Sequence, residues 1–258
     1  MPERKLYILI TIVITLCILM SCASPEVEPP TADPAADLAT LSRVDELFGQ
    51  RADIEKLRQA VELAARIRNP ERRVFESEWK FAKYSYFLGK RSLDKEESTA
   101  ALEKGRDAGK IAMRLEPGKP DGYFWYAANL GELSRRSPIT IGLRSVDDIK
   151  TAMHRVIELD PTYQRASAFD ALGQVELATR LSDGSAEKAA EYLEKGLVIA
   201  GDNVNTRLHL AETYFALGRD REALDQLDVL FKTKPDPDYE IEHAATVEQG
   251  RELLKRHQ

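Results

Sequence analysis

Apolar residues recur along most of this chain at the spacing of one helix face. In a representative stretch, Leu57, Val61, Ala64 and Ile67 follow one another at intervals of three or four residues. This interval matches the period of an α-helix, and it places the four side chains on one face. The same pattern continues from about Leu38 almost to the C-terminus, and it predicts an all-α fold.

The predicted helices fall into repeats. The strings at 111–117 and 155–161 are alike, since each ends with an apolar residue, an acidic residue and a proline. Related endings mark five points in the chain: Pro70, Pro117, Pro161, Gly201 and Pro235. The last interval, from Gly201 to Pro235, matches the tetratricopeptide period of about 34 residues, in which two helices form one hairpin. The earlier intervals are longer.

The last repeat fits the tetratricopeptide motif closely. Ala211 and Ala223 are small at the positions where the paired helices cross, and Gly218 suits the turn between them because glycine tolerates a positive φ. Pro235 ends the second helix. We therefore predict a tetratricopeptide-like helical-hairpin solenoid of four to five repeats. A final helix at about 239–257 has one apolar side and is expected to cap the stack.

The first helix of each hairpin lines the concave side of such a solenoid. Residues one or two positions away from the core positions of these helices should face inward: Lys80, Tyr84, Phe87, Phe124, Ala128, Gly131, Asp170, Gln174, Leu177, Leu208, Glu212 and Phe215. Eight of them form the candidate ligand groove: Tyr84, Phe87, Phe124, Ala128, Gly131, Gln174, Leu177 and Phe215. An apolar, partly aromatic floor suits an elongated apolar ligand or a peptide. In the alternative interpretation, insertions or terminal helices cover this surface and make it ordinary core.

Two arginines follow the helix that carries Phe124. Arg135 and Arg136 are candidates for contact with the acidic head group of a ligand, and the alternative is that they are solvated turn residues. Ala128 and Gly131 lie on the same helical face as Phe124 and are small, which leaves volume beside the aromatic ring.

The N-terminal residues have the pattern of a secretion signal. Arg4 and Lys5 precede an apolar run at 6–20, which is shorter than the roughly 20 residues of a transmembrane helix. The run ends in Leu-Met-Ser-Cys at 19–22, which resembles the bacterial lipobox. That resemblance implies that 1–21 are a signal peptide and that Cys22 carries the lipid. The alternatives are an ordinary signal peptide and an N-terminal anchor helix.

The segment after Cys22 is rich in proline and poor in apolar residues, so 22–38 is predicted to be a lipid-anchored disordered linker before a solenoid domain at 39–258. A lipoprotein of this kind is expected on the periplasmic side of the bacterial cell envelope. Ala23 resembles an outer-membrane sorting signal, which favours the outer membrane over the inner one.

Composition and motifs give little sign of catalysis. The formal net charge of −6 makes nucleic acid a poor partner. If Cys17 lies in the signal and Cys22 is lipidated, no thiol is left for a disulfide or a metal. The four histidines are scattered, and no HExxH, Walker A, GxGxxG or GxSxG motif occurs. We therefore expect no enzyme activity, no catalytic or metal-binding residues and no cofactor.

One family resemblance bears on function. The stretch 122–131, together with the helix that contains Leu172 and Gly173 and the residues at 184–195, resembles TatT-type lipoproteins, which are associated with TRAP transporters. The order of lipobox, spacer, irregular repeats, one regular repeat and final helix is also similar. The turn at 178–182 departs from the family pattern because it lacks the expected proline.

The resemblance implies a periplasmic accessory lipoprotein of a TRAP-type transport system. Its expected partners are a TRAP substrate-binding protein, a small apolar or organic-acid ligand, the membrane through the lipid, and further copies in a homotrimer. The alternative hypothesis is a tetratricopeptide scaffold lipoprotein for protein–protein assembly in the envelope. An enclosed cavity would favour the first hypothesis, and an open polar groove would favour the second.

The lipobox hypothesis predicts the behaviour of a Cys22→Ser variant. Without the thiol no lipid can be attached, so the variant should stay unprocessed or become soluble, whereas the unchanged chain should fractionate with membranes. Membrane fractionation followed by mass spectrometry of the N-terminal peptide measures both properties. A Cys22→Ser variant that is still processed and still lipidated would contradict the hypothesis.

Overall fold

The computed structural model of the chain describes residues 34–257. The predicted signal peptide and the lipidation site Cys22 lie outside the described residues. The chain divides into two units, Met1–Asp37 and Leu38–Gln258, and the second unit contains nearly everything that is described. The first helix begins at Pro34, inside the segment predicted as linker. Proline fits the first turn of a helix because the backbone N–H that it lacks has no partner there.

The described residues form eleven α-helices and no strand, so the predicted all-α fold is confirmed. The helices are α1 (Pro34–Gly49), α2 (Ile54–Arg66), α3 (Phe75–Arg91), α4 (Lys95–Leu115), α5 (Pro120–Arg136), α6 (Leu143–Leu159), α7 (Tyr163–Ala178), α8 (Ala186–Ile199), α9 (Val204–Ala216), α10 (Asp220–Lys232) and α11 (Glu240–Arg256). A π-helical turn, Pro138–Gly142, precedes α6, and a 3-10 turn, Pro237–Tyr239, precedes α11. Within the described part of the chain, no helix combines the length and the apolar character needed to cross a membrane.

The helices pair in chain order as the solenoid prediction requires. Each helix from α3 to α10 packs on its partner in the pairs α3–α4, α5–α6, α7–α8 and α9–α10. The inner helices α3, α5, α7 and α9 also contact one another in sequence. The helix α1 lies beside α3, the next inner helix along the chain. Asp45 of α1 accepts a hydrogen bond of 2.6 Å from Lys80 of α3. With α1–α2 as the first pair, there are five hairpins.

The backbones of α4 and α5 approach each other very closely where the two helices cross. A Cβ atom added at Gly109 would lie 2.6 Å from the backbone nitrogen of Tyr126, and one added at Gly122 would lie 2.5 Å from the backbone nitrogen of Met113. No real Cβ atom fits at such distances, so glycine is required at both crossings. In the last hairpin, Ala211 and Ala223 are fully buried at the predicted crossing positions.

A buried carboxylate organises the connection between α2 and α3. The side chain of Glu78 is fully buried, and its two oxygens accept from Arg68 at 2.7 Å and from Arg73 at 2.8 Å. A buried charge is tolerated only where opposite charges and hydrogen bonds compensate it. This double pairing therefore fixes the loop that carries both arginines onto the start of α3.

The first turn of α7 has an unusual backbone. Gln164, Arg165 and Ala166 have φ values of 48°, 58° and 60°, in the left-handed region that non-glycine residues avoid. Each such residue costs about 1–2 kcal/mol, so neighbouring contacts must hold the turn in place. One of them is a hydrogen bond of 2.9 Å from Asn203 Nδ2 to the carbonyl oxygen of Arg165. Gly218, where the sequence predicted a positive φ, has a φ of 70°.

The C-terminal helix α11 covers the last hairpin, as predicted. Thr246 donates a 2.6 Å hydrogen bond to Asn205 at the start of α9, and Gly250 lies against Phe231 of α10. The first turn of α11 also reaches the other end of the solenoid, which the sequence did not suggest. There Glu242 accepts two hydrogen bonds of 2.9 Å from Arg51, in the turn between α1 and α2.

The close crossing of α4 and α5 generates a stability prediction. A Gly109→Ala substitution should lower the free energy of unfolding by about 1–3 kcal/mol, because the new methyl group overlaps the backbone of α5. The matched control is Gly131→Ala in the interior of α5, where an added Cβ meets nothing within 4 Å. That change should raise stability by about 0.5–1 kcal/mol because alanine restricts the unfolded chain.

Urea unfolding followed by circular dichroism measures both changes. Equal effects of the two substitutions would contradict the packing of α4 on α5 described above.

Candidate functional site

The inner helices present a row of aromatic rings in contact with one another. We call it the aromatic row, and its members come from α1, α3, α5 and α7: Phe48, Tyr84, Tyr86, Phe87, Phe124, Trp125 and Tyr163. Ring centroids are 4.8 Å apart for Phe48 and Tyr84, 6.0 Å for Phe87 and Trp125, and 5.4 Å for Phe124 and Tyr163. The row thus connects four hairpins by edge and tilted ring contacts, which are favourable geometries for aromatic pairs.

Three of the four aromatic residues of the predicted ligand groove belong to this row, and Phe215 does not. Tyr84, Phe87 and Phe124 are 1%, 9% and 7% exposed, respectively, and all three lie in the hydrophobic core. The hydroxyl of Tyr84 donates to Asp45 of α1. Burial raises the pKa of this hydroxyl, and the hydrogen bond to the Asp45 carboxylate raises it further. The rings therefore have protein neighbours here, as in the alternative interpretation of the groove, and their contact with a ligand stays a prediction.

Beside the aromatic row, hydrogen-bonding side chains form a second row across α3, α5, α7 and α9. We call it the polar row: Lys90, Glu132, Arg135, Gln174, Asp170 and His209. Arg135 donates to Gln174 at 3.3 Å, and Asp170 accepts from Gln174 at 2.8 Å and from His209 at 2.7 Å. Each contact between α5, α7 and α9 joins residues 39 positions apart. Three inner helices are thus linked by an unbroken hydrogen-bonded chain.

Asp170 and His209 form a partly buried pair in the polar row. Their side chains are 10% and 20% exposed, respectively. Burial lowers the pKa of His209, but the Asp170 carboxylate, 2.7 Å from Nδ1, outweighs burial, so the pKa is raised above its ordinary value. Glu212 acts in the same direction and Arg135 in the opposite one. The pair therefore favours a protonated imidazole ring.

The remaining groove candidates are scattered along the inner surface. Ala128, Gly131, Gln174 and Leu177 are half-buried, and Gly131 has open space beside it. Phe215 stacks on His257, which directly follows α11, with ring centroids 3.8 Å apart.

The other inward-facing candidates lie in different surroundings. Lys80 pairs with Asp45, Leu208 is buried in the apolar core of the C-terminal helices, and Glu212 is half-buried. The exposed residues Arg135 and Arg136 donate to Glu132 and to the carbonyl oxygen of Gly89, respectively. A head-group contact for either arginine stays a prediction.

Several residues of this surface were missed by the sequence analysis. Phe48, Tyr86, Trp125 and Tyr163 complete the aromatic row. Lys90, Glu132 and His209 complete the polar row. His209 carried no sequence signal, since it is one of four scattered histidines outside any motif. Within residues 34–257, no group of three or more histidine, cysteine or acidic side chains is placed to hold a metal ion.

Comparison with known families accounts for most of the described helices. The profile of the family described as regulator of microtubule dynamics protein 1-3 matches residues 40–174, and a tetratricopeptide repeat profile matches residues 180–241. No curated protein matches the chain.

Two similar solved structures support the fold. A thermophilic tetratricopeptide protein of Thermus thermophilus is 21% identical with a TM-score of 0.60, and the match covers 82% of this chain and 98% of that one. The PilF protein of Pseudomonas aeruginosa is 16% identical with a TM-score of 0.54, covering 86% and 91%. At these identities the likeness shows a tetratricopeptide fold and no particular activity.

The raised pKa of His209 predicts how stability depends on pH. The folded-state pKa exceeds the unfolded value of about 6.5, so the pair with Asp170 stabilises the fold fully below about pH 6.5. This contribution is lost as the pH rises through the folded pKa. In Asp170→Asn, burial and Arg135 still lower the pKa of His209 and only Glu212 raises it, so the stability lost between about pH 6 and pH 8.5 should be smaller than in the unchanged chain.

Urea unfolding at several pH values compares the two proteins, and an NMR titration of His209 measures its pKa directly. Parallel pH profiles for the two proteins would contradict the prediction.

Proposed function

Since the chain belongs to the family described as regulator of microtubule dynamics protein 1-3 and continues into a tetratricopeptide repeat, we propose that it is a non-enzymatic scaffold that binds a segment of a partner protein on its inner surface. The observation that carries this proposal is the polar row. It offers donors and acceptors from three successive inner helices, joined to one another by hydrogen bonds.

An extended peptide needs hydrogen-bond partners of the kind that the polar row offers. Its backbone N–H and C=O groups recur along its length, and each must find a partner when water is excluded. Arg135, Gln174 and His209 supply side-chain groups at intervals along the surface, next to the aromatic row, which offers apolar contact. Repeat proteins commonly use an extended concave surface of this kind for binding.

The family name refers to the regulation of microtubule dynamics. The predicted secretion signal would carry this chain out of the cytoplasm, where microtubules assemble. We therefore propose that the property shared with the family is a helical surface that binds protein, and that the partner here is another protein. The lipid expected on Cys22 would hold the scaffold at the periplasmic side of the cell envelope, with the outer membrane favoured.

The resemblance of 122–131 to TatT-type lipoproteins supports a narrower proposal. In it the partner is the substrate-binding protein of a TRAP-type transporter, and the aromatic row is the site of a small apolar or organic-acid ligand. Trp125 and Tyr126 of this stretch belong to the buried core. The two proposals differ in the identity of the partner, so one experiment can separate them.

Site-specific photocrosslinking tests the scaffold function. The photoreactive amino acid p-benzoylphenylalanine replaces Gln174 in the polar row of the full chain, in the cells that produce it. The expected result is a discrete crosslinked protein, because the benzophenone group would lie within the bound segment. The control position is Val198, which is 88% exposed and lies on α8, an outer helix. It should give little or none of the same product.

Mass spectrometry of the crosslinked band then identifies the partner. A TRAP substrate-binding protein would support the narrower proposal, and another envelope protein would support the scaffold alone. The same yield at Gln174 and Val198, or no crosslinked protein at either position, would contradict binding on the inner surface.

A further inference from the structure

The connection between α10 and α11 is strongly acidic. We call residues 235–242 the strap, and they read Pro-Asp-Pro-Asp-Tyr-Glu-Ile-Glu. The strap runs from the first turn of α7 to the turn between α1 and α2. At one end Asp236 pairs with Arg165 at 2.8 Å, and at the other Glu242 accepts two hydrogen bonds of 2.9 Å from Arg51. Between them, Tyr239 donates a 3.3 Å hydrogen bond to Gln164.

The surface beneath the strap is basic and aromatic. Arg51 is 7% exposed, and its guanidinium lies 4.9 Å from the ring centroid of Phe48. The Lys83 ammonium lies 4.8 Å from the same centroid and 6.0 Å from that of Trp125. We call Arg51, Lys83, Arg165 and these rings the receiving cluster. Cations over aromatic faces and acids from a second segment are complementary partners.

The receiving cluster has binding capacity that the strap does not use. Within residues 34–257, no carboxylate forms an ion pair with Lys83, although Asp45 and Asp238 are near enough to influence it. Burial lowers the pKa of Lys83, and the neighbouring Arg51 guanidinium lowers it further. The buried indole nitrogen of Trp125 lacks a hydrogen bond of normal geometry, although it lies close enough to Tyr163 to influence that hydroxyl.

We infer that the receiving cluster is a docking site for an acidic, tyrosine-containing extended segment of another protein, and that the strap is a built-in competitor for this site. The inference rests on the proposed scaffold function and names the chemistry of its partner. The strap shows which chemistry the site accepts, because it is itself an acidic segment seated there. An incoming segment would replace the bidentate contact of Glu242 with Arg51 and would add a carboxylate for Lys83.

The strap is suited to being displaced. None of the residues of its 3-10 turn is buried, so few apolar contacts hold it. The pair of Asp236 with Arg165 is partly exposed, and such pairs contribute little stability. Glu242 pairs with the buried Arg51, so its departure requires another carboxylate in its place. By contrast, α11 is anchored beyond the strap by Thr246 and Leu253, which are buried. The strap, which includes the first turn of α11, can therefore leave the receiving cluster while the rest of α11 stays in place.

Two substitutions that break the same ion pair should affect peptide binding differently. Glu242→Gln weakens the strap and leaves the receiving cluster intact, whereas Arg51→Met weakens the strap and also removes the acceptor site. The probe is a fluorescein-labelled synthetic peptide with the sequence of residues 235–243. It is titrated by fluorescence anisotropy with the full chain, purified in mild detergent. Thermal unfolding verifies that each variant is folded.

The unchanged chain should bind the probe weakly, because its own strap competes at an effective concentration in the millimolar range. Glu242→Gln should bind the probe at least tenfold more tightly, and Arg51→Met should not gain affinity. Adding Lys83→Met to Glu242→Gln should reduce the gain about tenfold. A control peptide with Asn and Gln in place of Asp and Glu should bind to none of these proteins.

Other results would overturn the inference. It fails if the probe binds all the proteins equally, or if it does not bind Glu242→Gln. A dimer of Glu242→Gln in analytical ultracentrifugation, with no peptide binding, would assign the site to the strap of a second copy and would likewise overturn it. Since purified protein and a synthetic peptide are used, this test is independent of crosslinking at Gln174. Crosslinking without peptide binding would leave the scaffold function intact and reject only this docking site.

Discussion

The contact between neighbouring inner helices is the constraint on which the rest of this structure depends. A repeat in a solenoid touches only the repeats beside it, so each hairpin is stable only if its first helix packs against the next one. Here a polar tie accompanies that packing at several steps. Asp45 joins Tyr84, Asp121 joins Tyr163, and Asp170 joins His209, with partners 39, 42 and 39 residues apart. These ties fix the register of the repeats, and they place the aromatic and polar rows side by side.

Local pattern was enough to predict the fold, because a tetratricopeptide hairpin is encoded within one repeat. Ala211, Gly218 and Ala223 each meet a steric requirement of their own hairpin, and the structure places them as expected. The inner surface was harder to predict. The sequence could indicate which residues lie on inner helices, but Tyr84 and Phe124 are buried by rings from adjacent repeats. Whether a ring lines a groove or fills a core depends on its neighbours across the repeat.

The meeting of the two ends of the solenoid could not have been predicted from the sequence. Arg51 and Glu242 are 191 residues apart, and each lies in a segment with other charged residues. Their distance in space depends on the twist accumulated over five hairpins, and a small rotation at each step would separate them. The left-handed turn at Gln164–Ala166 could not have been predicted from the sequence either. Its strain is tolerated because Asn203 and the strap hold residues that only the folded solenoid brings together.

Different forces hold the inner surface and its cover. Aromatic ring contacts and close helix crossings hold the inner helices together, and breaking them costs the free energy of apolar burial. The strap is a short acidic segment paired with Arg51 and Arg165, with little apolar burial. Replacing an ion pair of the strap by a similar ion pair with a partner changes the free energy of the protein little, because similar charge contacts are lost and gained. A partner with the right charges can therefore exchange with the strap, while the solenoid beneath keeps its shape.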